Sequence, residues 1–401
     1  MITIAASKRE QPNPVNDIEQ YRKMRRKKRR RRKLLVFAGV VAVIVVLVFA
    51  VNYFELGNIG ELGQENTQTQ QAGSSGFPKK LFGDHPSQFV ASDSLLAMVT
   101  DSKLYLYDTS GKTVLEAPHS YTNPVVSCEG SYFLLYDRSG NNFRLTDQSG
   151  TVFEQDFSNE IICASVRSDG TSAIASQEER YAGSVTVFSK KGEELFKWYS
   201  SNYQVNQVAL KSGSNNLAVA CIGAQEGKIV STVATLVIVA ASISSDQEVK
   251  EVQFPDMMIL SIRYLSNGGL CVVGDTKTVI VNSSGEIQNE YVYNRYITDF
   301  CVDDSGITVL SLASSANAAE HEYIVLGGNA DVLGSVVLTE EVKWITAGNG
   351  SVYLLTGKQL LCYDQRMNQN NSVEVRSDAK NIVSVGSNVY ILGLGEISKA
   401  W

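Results

Sequence analysis

Residues 104–116 read LYLYDTSGKTVLE. Two short apolar runs alternate with period two on either side of Asp108-Thr109-Ser110-Gly111, so the stretch is a β-hairpin with Gly111 where the turn needs a positive φ. The pattern returns at 143–155 (FRLTDQSGTVFEQ), 185–198 (VTVFSKKGEELFKW) and 279–291 (VIVNSSGEIQNEY). The turn glycines Gly111, Gly150, Gly192 and Gly285 mark a unit of about 40 residues, with one unmarked unit between the last two. That unit is VATLVIVAASISSDQEVKEVQF (233–254), where Ser244–Gln247 is expected to replace the glycine turn. Divergent copies occur at 323–338 (YIVLGGNADVLGSVVL) and 360–375 (LLCYDQRMNQNNSVEV).

Each hairpin is preceded by another pair of apolar runs. Before 143–155 these are PVVSCE (124–129) and YFLLYD (132–137), so the unit has four strands. Turns this short forbid parallel crossovers, which need about a dozen residues or more. A four-stranded antiparallel unit recurring along the chain is the signature of a β-propeller, whose radial sheets bury both faces against their neighbours. Innermost strands are expected to start near Gln88, Val125, Ile161, Val205, Ile259, Ile297, Val342 and Asn381. The last unit has only IVSVG, VYILG and the short EISKAW before the chain ends. An incomplete last sheet would leave an open edge, and FPKKLFG (77–83) can supply its outermost strand. The fold class is therefore all-β, an eight-bladed propeller over 77–401, with seven blades as the alternative should the terminal unit fold otherwise.

The propeller is preceded by three different compositions. Residues 1–33 carry 13 Lys/Arg against 3 Asp/Glu, while the other 368 carry 23 against 39. An acidic body argues against a nucleic-acid partner, because phosphate contacts need a basic surface. Leu34 to Phe54, LLVFAGVVAVIVVLVFAVNYF, has no charge. A helix of that length spans roughly 30 Å, the thickness of a bilayer's hydrocarbon core. The run is longer than the apolar region of a cleavable signal peptide, so the expectation is an uncleaved signal-anchor. Arg25, Arg26, Lys27, Lys28, Arg29, Arg30, Arg31, Arg32 and Lys33 flank it directly. Such a cluster keeps the N-terminus cytoplasmic, exports the C-terminal domain and attracts anionic lipid headgroups. Residues 55–76 are rich in Gly, Gln, Asn, Ser and Thr and read as a flexible linker.

The turn Leu106-Tyr107-Asp108-Thr109-Ser110-Gly111-Lys112, echoed by Leu145-Thr146-Asp147-Gln148-Ser149-Gly150-Thr151, resembles the Asp-x-x-Gly hairpin of quinoprotein-like (PQQ-type) propeller repeats. The whole arrangement resembles uncharacterised single-pass, membrane-anchored propeller proteins of Gram-positive anaerobic bacteria. The tryptophan that closes such repeats occurs only as Trp198. The resemblance therefore implies the non-enzymatic relatives, which scaffold protein assembly in bacterial envelopes, and no quinone or other cofactor.

The residues themselves announce little chemistry. Cys128, Cys163, Cys221, Cys271, Cys301 and Cys362 each fall in an apolar strand of a different unit, too far apart for disulfides and expected to be core thiols. No Cys-x-x-Cys or His-x-His spacing suggests a metal. His85, His119 and His321 read as surface loop residues, and Glu178-Glu179, Asp303-Asp304 and Glu340-Glu341 as solvated turns.

One asymmetry points to a surface. With the strands of a blade labelled A to D from the axis outward, the B–C and D–A connections share one face of the disc. B–C insertions are expected at 176–184, 223–232 and 314–322, and the D–A connections carry His119, Tyr121, Tyr199, Tyr203, Tyr293, Arg295 and Tyr296. Tyr and Arg are enriched in binding hot spots, so this face is the candidate partner-binding surface, the alternative being that its rings wedge between blades. The function expected is a non-catalytic binding or scaffolding module at the cell envelope, its partner a protein or glycan. An envelope enzyme (a quinoprotein-like oxidoreductase, or a polysaccharide hydrolase or lyase) and a ligand sensor are the alternatives.

Overall fold

A computed structural model describes residues 76–401 apart from 82, 84, 240, 241, 244–248, 304, 316 and 317. The basic tail, the apolar segment 34–54 and the linker up to residue 75 lie outside the described residues. Among the described residues no helix is long and apolar enough to cross a membrane.

The strands form eight antiparallel sheets, the blades of an eight-bladed propeller. The innermost strands are Gln88–Ser92, Pro124–Glu129, Ile161–Val166, Gln204–Leu210, Ile259–Tyr264, Tyr296–Val302, Val342–Gly348 and Asn381–Val385. Each begins at the expected residue or one before it. We number the blades 1 to 8 in that order. The buried side chains fall into eight clusters, one at each junction between consecutive blades. Strand Leu95–Val99 shows why its residues lack a polar face. Leu96 and Met98 pack toward blade 8, while Leu95, Ala97 and Val99 pack toward blade 2. Burying such a side chain stabilises by about 1.5–3 kcal/mol, and here both faces of one strand are buried.

The ring closes as the sequence predicted. Lys79–Lys80 pairs antiparallel with Glu396–Lys399 as the outermost strand of blade 8, and the Leu81 N–H donates to the Gly395 carbonyl at 2.9 Å. Phe77 lies 5.0 Å from the Tyr390 ring, and the Tyr390 hydroxyl donates to the Thr109 carbonyl of blade 1 at 3.0 Å. Because D strands run from the A–B/C–D face toward the D–A connections, the described chain begins on the A–B/C–D face.

The recurring hairpin turn is a loop capped by an Asp or Asn side chain. Asp108 Oδ1 accepts from the N–H groups of Ser110 (2.9 Å) and Lys112 (3.0 Å), and the Gly111 N–H donates to the Asp108 carbonyl at 3.0 Å. Asn282 and Asp364 are wired in the same way in blades 5 and 7. Gly111 sits at φ +88°, and a Cβ there would meet the Gly76 carbonyl oxygen at 2.9 Å. Gly111→Ala is expected to cost about 1–2 kcal/mol from the left-handed conformation alone, with the backbone contact adding to it, as measured by urea unfolding of the full chain.

One expectation is corrected in blade 4. The expected turn at 244–247 lies outside the described residues; in the connection that contains it, between strands Lys228–Val237 and Lys250–Pro255, the short strand Ser242–Ile243 pairs in parallel with Phe196 and Lys197 on the outer strand of blade 3. The expected B–C insertion 223–232 is absent as a loop. Strands Asn216–Gln225 and Lys228–Val237 stay paired to Gln225↔Lys228. Glu226 and Gly227 turn the corner with φ +53° and +79°, the signature of a type I′ hairpin.

Candidate functional site

The face shared by B–C and D–A connections does not present all seven residues expected on it. Tyr121 is 7% exposed and belongs to the core between blades 1 and 2. Its hydroxyl donates to Glu154 at 3.4 Å, and burial raises its pKa. His119 is half-buried beside it, ring centroids 5.3 Å apart, and burial lowers its pKa. Tyr203 packs against the blade 3–4 core, its ring over Gly223, where an added Cβ would lie 2.0 Å from Cδ1. Tyr293 packs between blades 5 and 6, 2.6 Å from Thr278 Oγ1. These four are wedges rather than contact groups, because rings at D–A connections fill the widening gap between radial sheets. Tyr199 is half-buried under Tyr181, ring centroids 4.6 Å apart, with Lys197 Nζ 5.0 Å above its ring. Arg295 is half-buried and pairs with Glu320 at 3.5 Å and Glu322 at 3.9 Å. Only Tyr296 stands free, 69% exposed.

Tyr296 opens the innermost strand of blade 6, and a β-bulge lies just beyond it. In blades 3 to 7 the inner strand slips register at the same place: between Ile161 and Cys163, Val205 and Gln207, Ile259 and Ser261, Ile297 and Asp299, Val342 and Trp344. A bulge leaves one residue unpaired and bends the strand, re-aiming the side chains beside it. In these five consecutive blades the first residues after the slip are Cys163, Gln207, Ser261, Asp299 and Trp344, of which Cys163 is packed in the core between blades 3 and 4. On blades 6 and 7 the bulged residues and their successors, Thr298, Asp299, Lys343 and Trp344, are all exposed. Trp344 is 40% exposed, and its strand packs beside that of Tyr296.

The inner strands of blades 6 and 7 thus carry the candidate site. Asp299 Oδ1 accepts from the Phe300 N–H at 2.8 Å, and burial among the inner strands raises its pKa. Water reaches the carboxyl through the channel, yet protein hems it on most sides. Behind it, Thr298 Oγ1 lies 2.9 Å from Ser311 Oγ, and both hydroxyls lie near His321 Nδ1, at 3.2 and 3.1 Å. His321 Nε2 is 3.1 Å from the Ala318 carbonyl oxygen. His321 is therefore no loop residue; it begins strand His321–Leu326 and ties a B–C loop to the channel wall. His85, by contrast, is exposed as expected. Trp344 went unsingled in the sequence, although a lone Trp in an inner strand, VKWITAG, where the other blades carry smaller residues, was the available signal.

The remaining chemistry is sparse. Among the described residues no three His, Cys, Asp or Glu side chains converge as metal ligands. All six cysteines are free thiols, with Cys163, Cys221 and Cys271 buried. The proposed lipid-proximal cluster, Arg25 to Lys33, lies outside the described residues.

A family model described as a family of unknown function (DUF5711) matches residues 84–399. Among curated proteins the sequence matches none. The fold is similar to that of Sqt1 from Saccharomyces cerevisiae, with TM-score 0.55 and 12% identity over 81% of this chain and 99% of that one. It is similar to apo AztD from Citrobacter koseri, with TM-score 0.54 and 9% identity over 75% and 88%. BamB from Moraxella catarrhalis also superposes, with TM-score 0.51 and 7% identity over 78% and 95%. At such identities the likeness concerns the fold.

Proposed function

The chain belongs to the DUF5711 family, and from that premise we propose that it is a membrane-anchored binding or scaffolding module whose propeller recognises a partner outside the cytoplasm. The tether is the uncharged segment 34–54, held N-terminus inward by the basic cluster Arg25 to Lys33. The role is non-catalytic, with the partner a protein of the cell envelope. One observation carries the reading: Tyr296 and Trp344 stand exposed on the innermost strands of neighbouring blades 6 and 7, on a face whose other aromatic residues are largely packed away. Large aromatic side chains held out on rigid strands are the usual anchors of a protein interface. This face and residue 76, where the described chain begins, also lie on opposite sides of the ring.

Orientation is tested by adding protease to intact cells that express the chain with a C-terminal epitope. Loss of the epitope without lysis fits an exported propeller, whereas an epitope digested only after lysis removes the proposal.

A further inference from the structure

The rim of blade 8 is built differently from the other rims. Its outermost strand, Lys79–Lys80, has two residues where those of the other blades have six or seven. The ladder ends at Lys79↔Ile397, although strand Glu396–Lys399 runs on. The Gly393 N–H donates to the Glu396 carbonyl and the Ala400 N–H to the Val389 carbonyl, so the even residues of that strand bond inward. The odd ones bond outward, as Gly395 does in accepting from Leu81. The Lys399 N–H and carbonyl therefore face the rim, where Phe77 would continue the ladder. Phe77 turns onto Tyr390 instead, and among the described residues no backbone group meets Lys399 there. Between this open edge and blade 1 lies a cleft of about 380 Å³, bordered by Phe77, Thr109, Ser110, Glu396, Ser398 and Lys399.

The charges here run against the acidic body of the chain. Lys80 and Arg376 share Glu396, and Arg376 also holds Asp378. Asp108 is taken up by the N–H groups of its own turn, and farther along the rim Lys103 and Glu116 pair with each other. Glu374 of blade 7 stands opposite Gln359, on the strand face that Leu361 turns toward blade 6. Lys79 donates to Thr113. That leaves Lys399, on the same strand face as Tyr390 and so toward blade 1, and Lys112, in the turn of Thr109 and Ser110. Both are exposed, and neither forms a salt bridge among the described residues.

An unpaired strand edge is a template for an extended chain, and the outer strand of blade 3 already carries Ser242–Ile243 in this way. Two unanswered lysines beside such an edge attract carboxylates. We propose that this cleft receives an acidic, extended segment of a partner protein. Its backbone adds to the open edge at Lys399, and its carboxylates meet Lys399 and the field of Lys112. A peptide suits the cleft better than a free anion, because Lys399 offers a backbone donor and acceptor together with its charge. The inference goes beyond the recognition face, since the cleft lies on the opposite side of the ring.

The probe is a phage-displayed library of random peptides panned on the full chain in lipid nanodiscs, and clones that still bind the Lys399→Pro chain are set aside. That substitution removes the outward N–H and the charge together and leaves the inward bonds of the strand in place. The remaining peptides are expected to share Asp or Glu. Exchanging these for Asn or Gln, or making Lys112→Gln/Lys399→Gln in the protein, should weaken binding about fivefold, and about 0.5 M salt should do the same. N-methylation of alternate peptide bonds, which keeps the charges, should weaken it about tenfold or more. Binding should also slow hydrogen exchange at the Lys399 amide. Lys191→Gln, an exposed base on blade 3, and Tyr296→Ala/Trp344→Ala should each leave affinity within about twofold. Peptides without an acidic residue, or indifferent to the two lysines, overturn the acidic segment, and peptides indifferent to N-methylation overturn strand addition. A library in which every clone also binds Lys399→Pro, or in which none is enriched, overturns the site. None of these results bears on the face that carries Tyr296 and Trp344.

Discussion

Replacing Tyr390 with alanine is expected to lower the stability of the propeller by about 3–5 kcal/mol, while replacing it with phenylalanine costs only about 1 kcal/mol. Tyr390 is fully buried in blade 8, against the core shared with blade 1. Its ring meets Phe77 from the beginning of the described chain, and its hydroxyl reaches the Thr109 carbonyl of blade 1. It therefore joins three segments that are remote in sequence. Alanine removes most of a large side chain from a site where strands on both sides cannot collapse, so a cavity term adds to the lost burial. Phenylalanine keeps the volume and loses one hydrogen bond. Urea unfolding of the full chain reads both effects. If the two variants behaved alike, the packing of the terminal segment on blade 8 would not be what holds the ring shut.

A second large effect is expected in alkali. Burial pushes the Cys163 thiol up to about 12, and those of Cys221 and Cys271 up to about 11. In the unfolded chain all three ionise near the ordinary value of about 8.5. Below that value both states hold their protons and pH has no leverage. Above it the unfolded chain releases protons that the native chain keeps, so stability falls as pH rises toward the native values. Each thiol gives a slope of about 1.4 kcal/mol per pH unit, or about 2 kcal/mol apiece by pH 10. The urea midpoint should stay level from pH 7 to about pH 8.5 and then drop steeply. A chain carrying alanine at all three positions should begin from a lower midpoint and show a much shallower drop. A wild-type midpoint that stayed flat to pH 10 would mean that these thiols are not buried as described.

The fold was legible because its two signals are local and repeated. Alternating apolar runs and turns such as Asp108 to Gly111 are written in adjacent residues, and eight copies correct one another's ambiguities. The closure was legible from a deficit, since a last unit short of one strand requires FPKKLFG to return. Blade 4 was misread where Glu226-Gly227 turned an apparent insertion into a longer hairpin. The site was less legible. Sequence placed His119, Tyr121, Tyr203 and Tyr293 on the right connections, but whether a ring points out or wedges between sheets depends on the gap it meets. The slips in the inner strands are bulges, which add a residue to the ladder without a distinctive residue type. Asp299, Trp344 and the link from His321 to Thr298 therefore become visible only in three dimensions.

The claim that the exposed inner strands of blades 6 and 7 are where this protein meets its partner is tested most directly by capture from native membranes. The tagged full chain and its Tyr296→Ala/Trp344→Ala counterpart would be extracted in mild detergent, and co-purifying proteins quantified in parallel. Each exposed anchor is expected to be worth about 2 kcal/mol or more, so one or a few proteins should fall by at least tenfold in the double variant. The urea midpoint should fall modestly, because Tyr296 is 69% and Trp344 40% exposed. Identical sets of captured proteins from the two chains, both folded, would contradict the assignment of this surface.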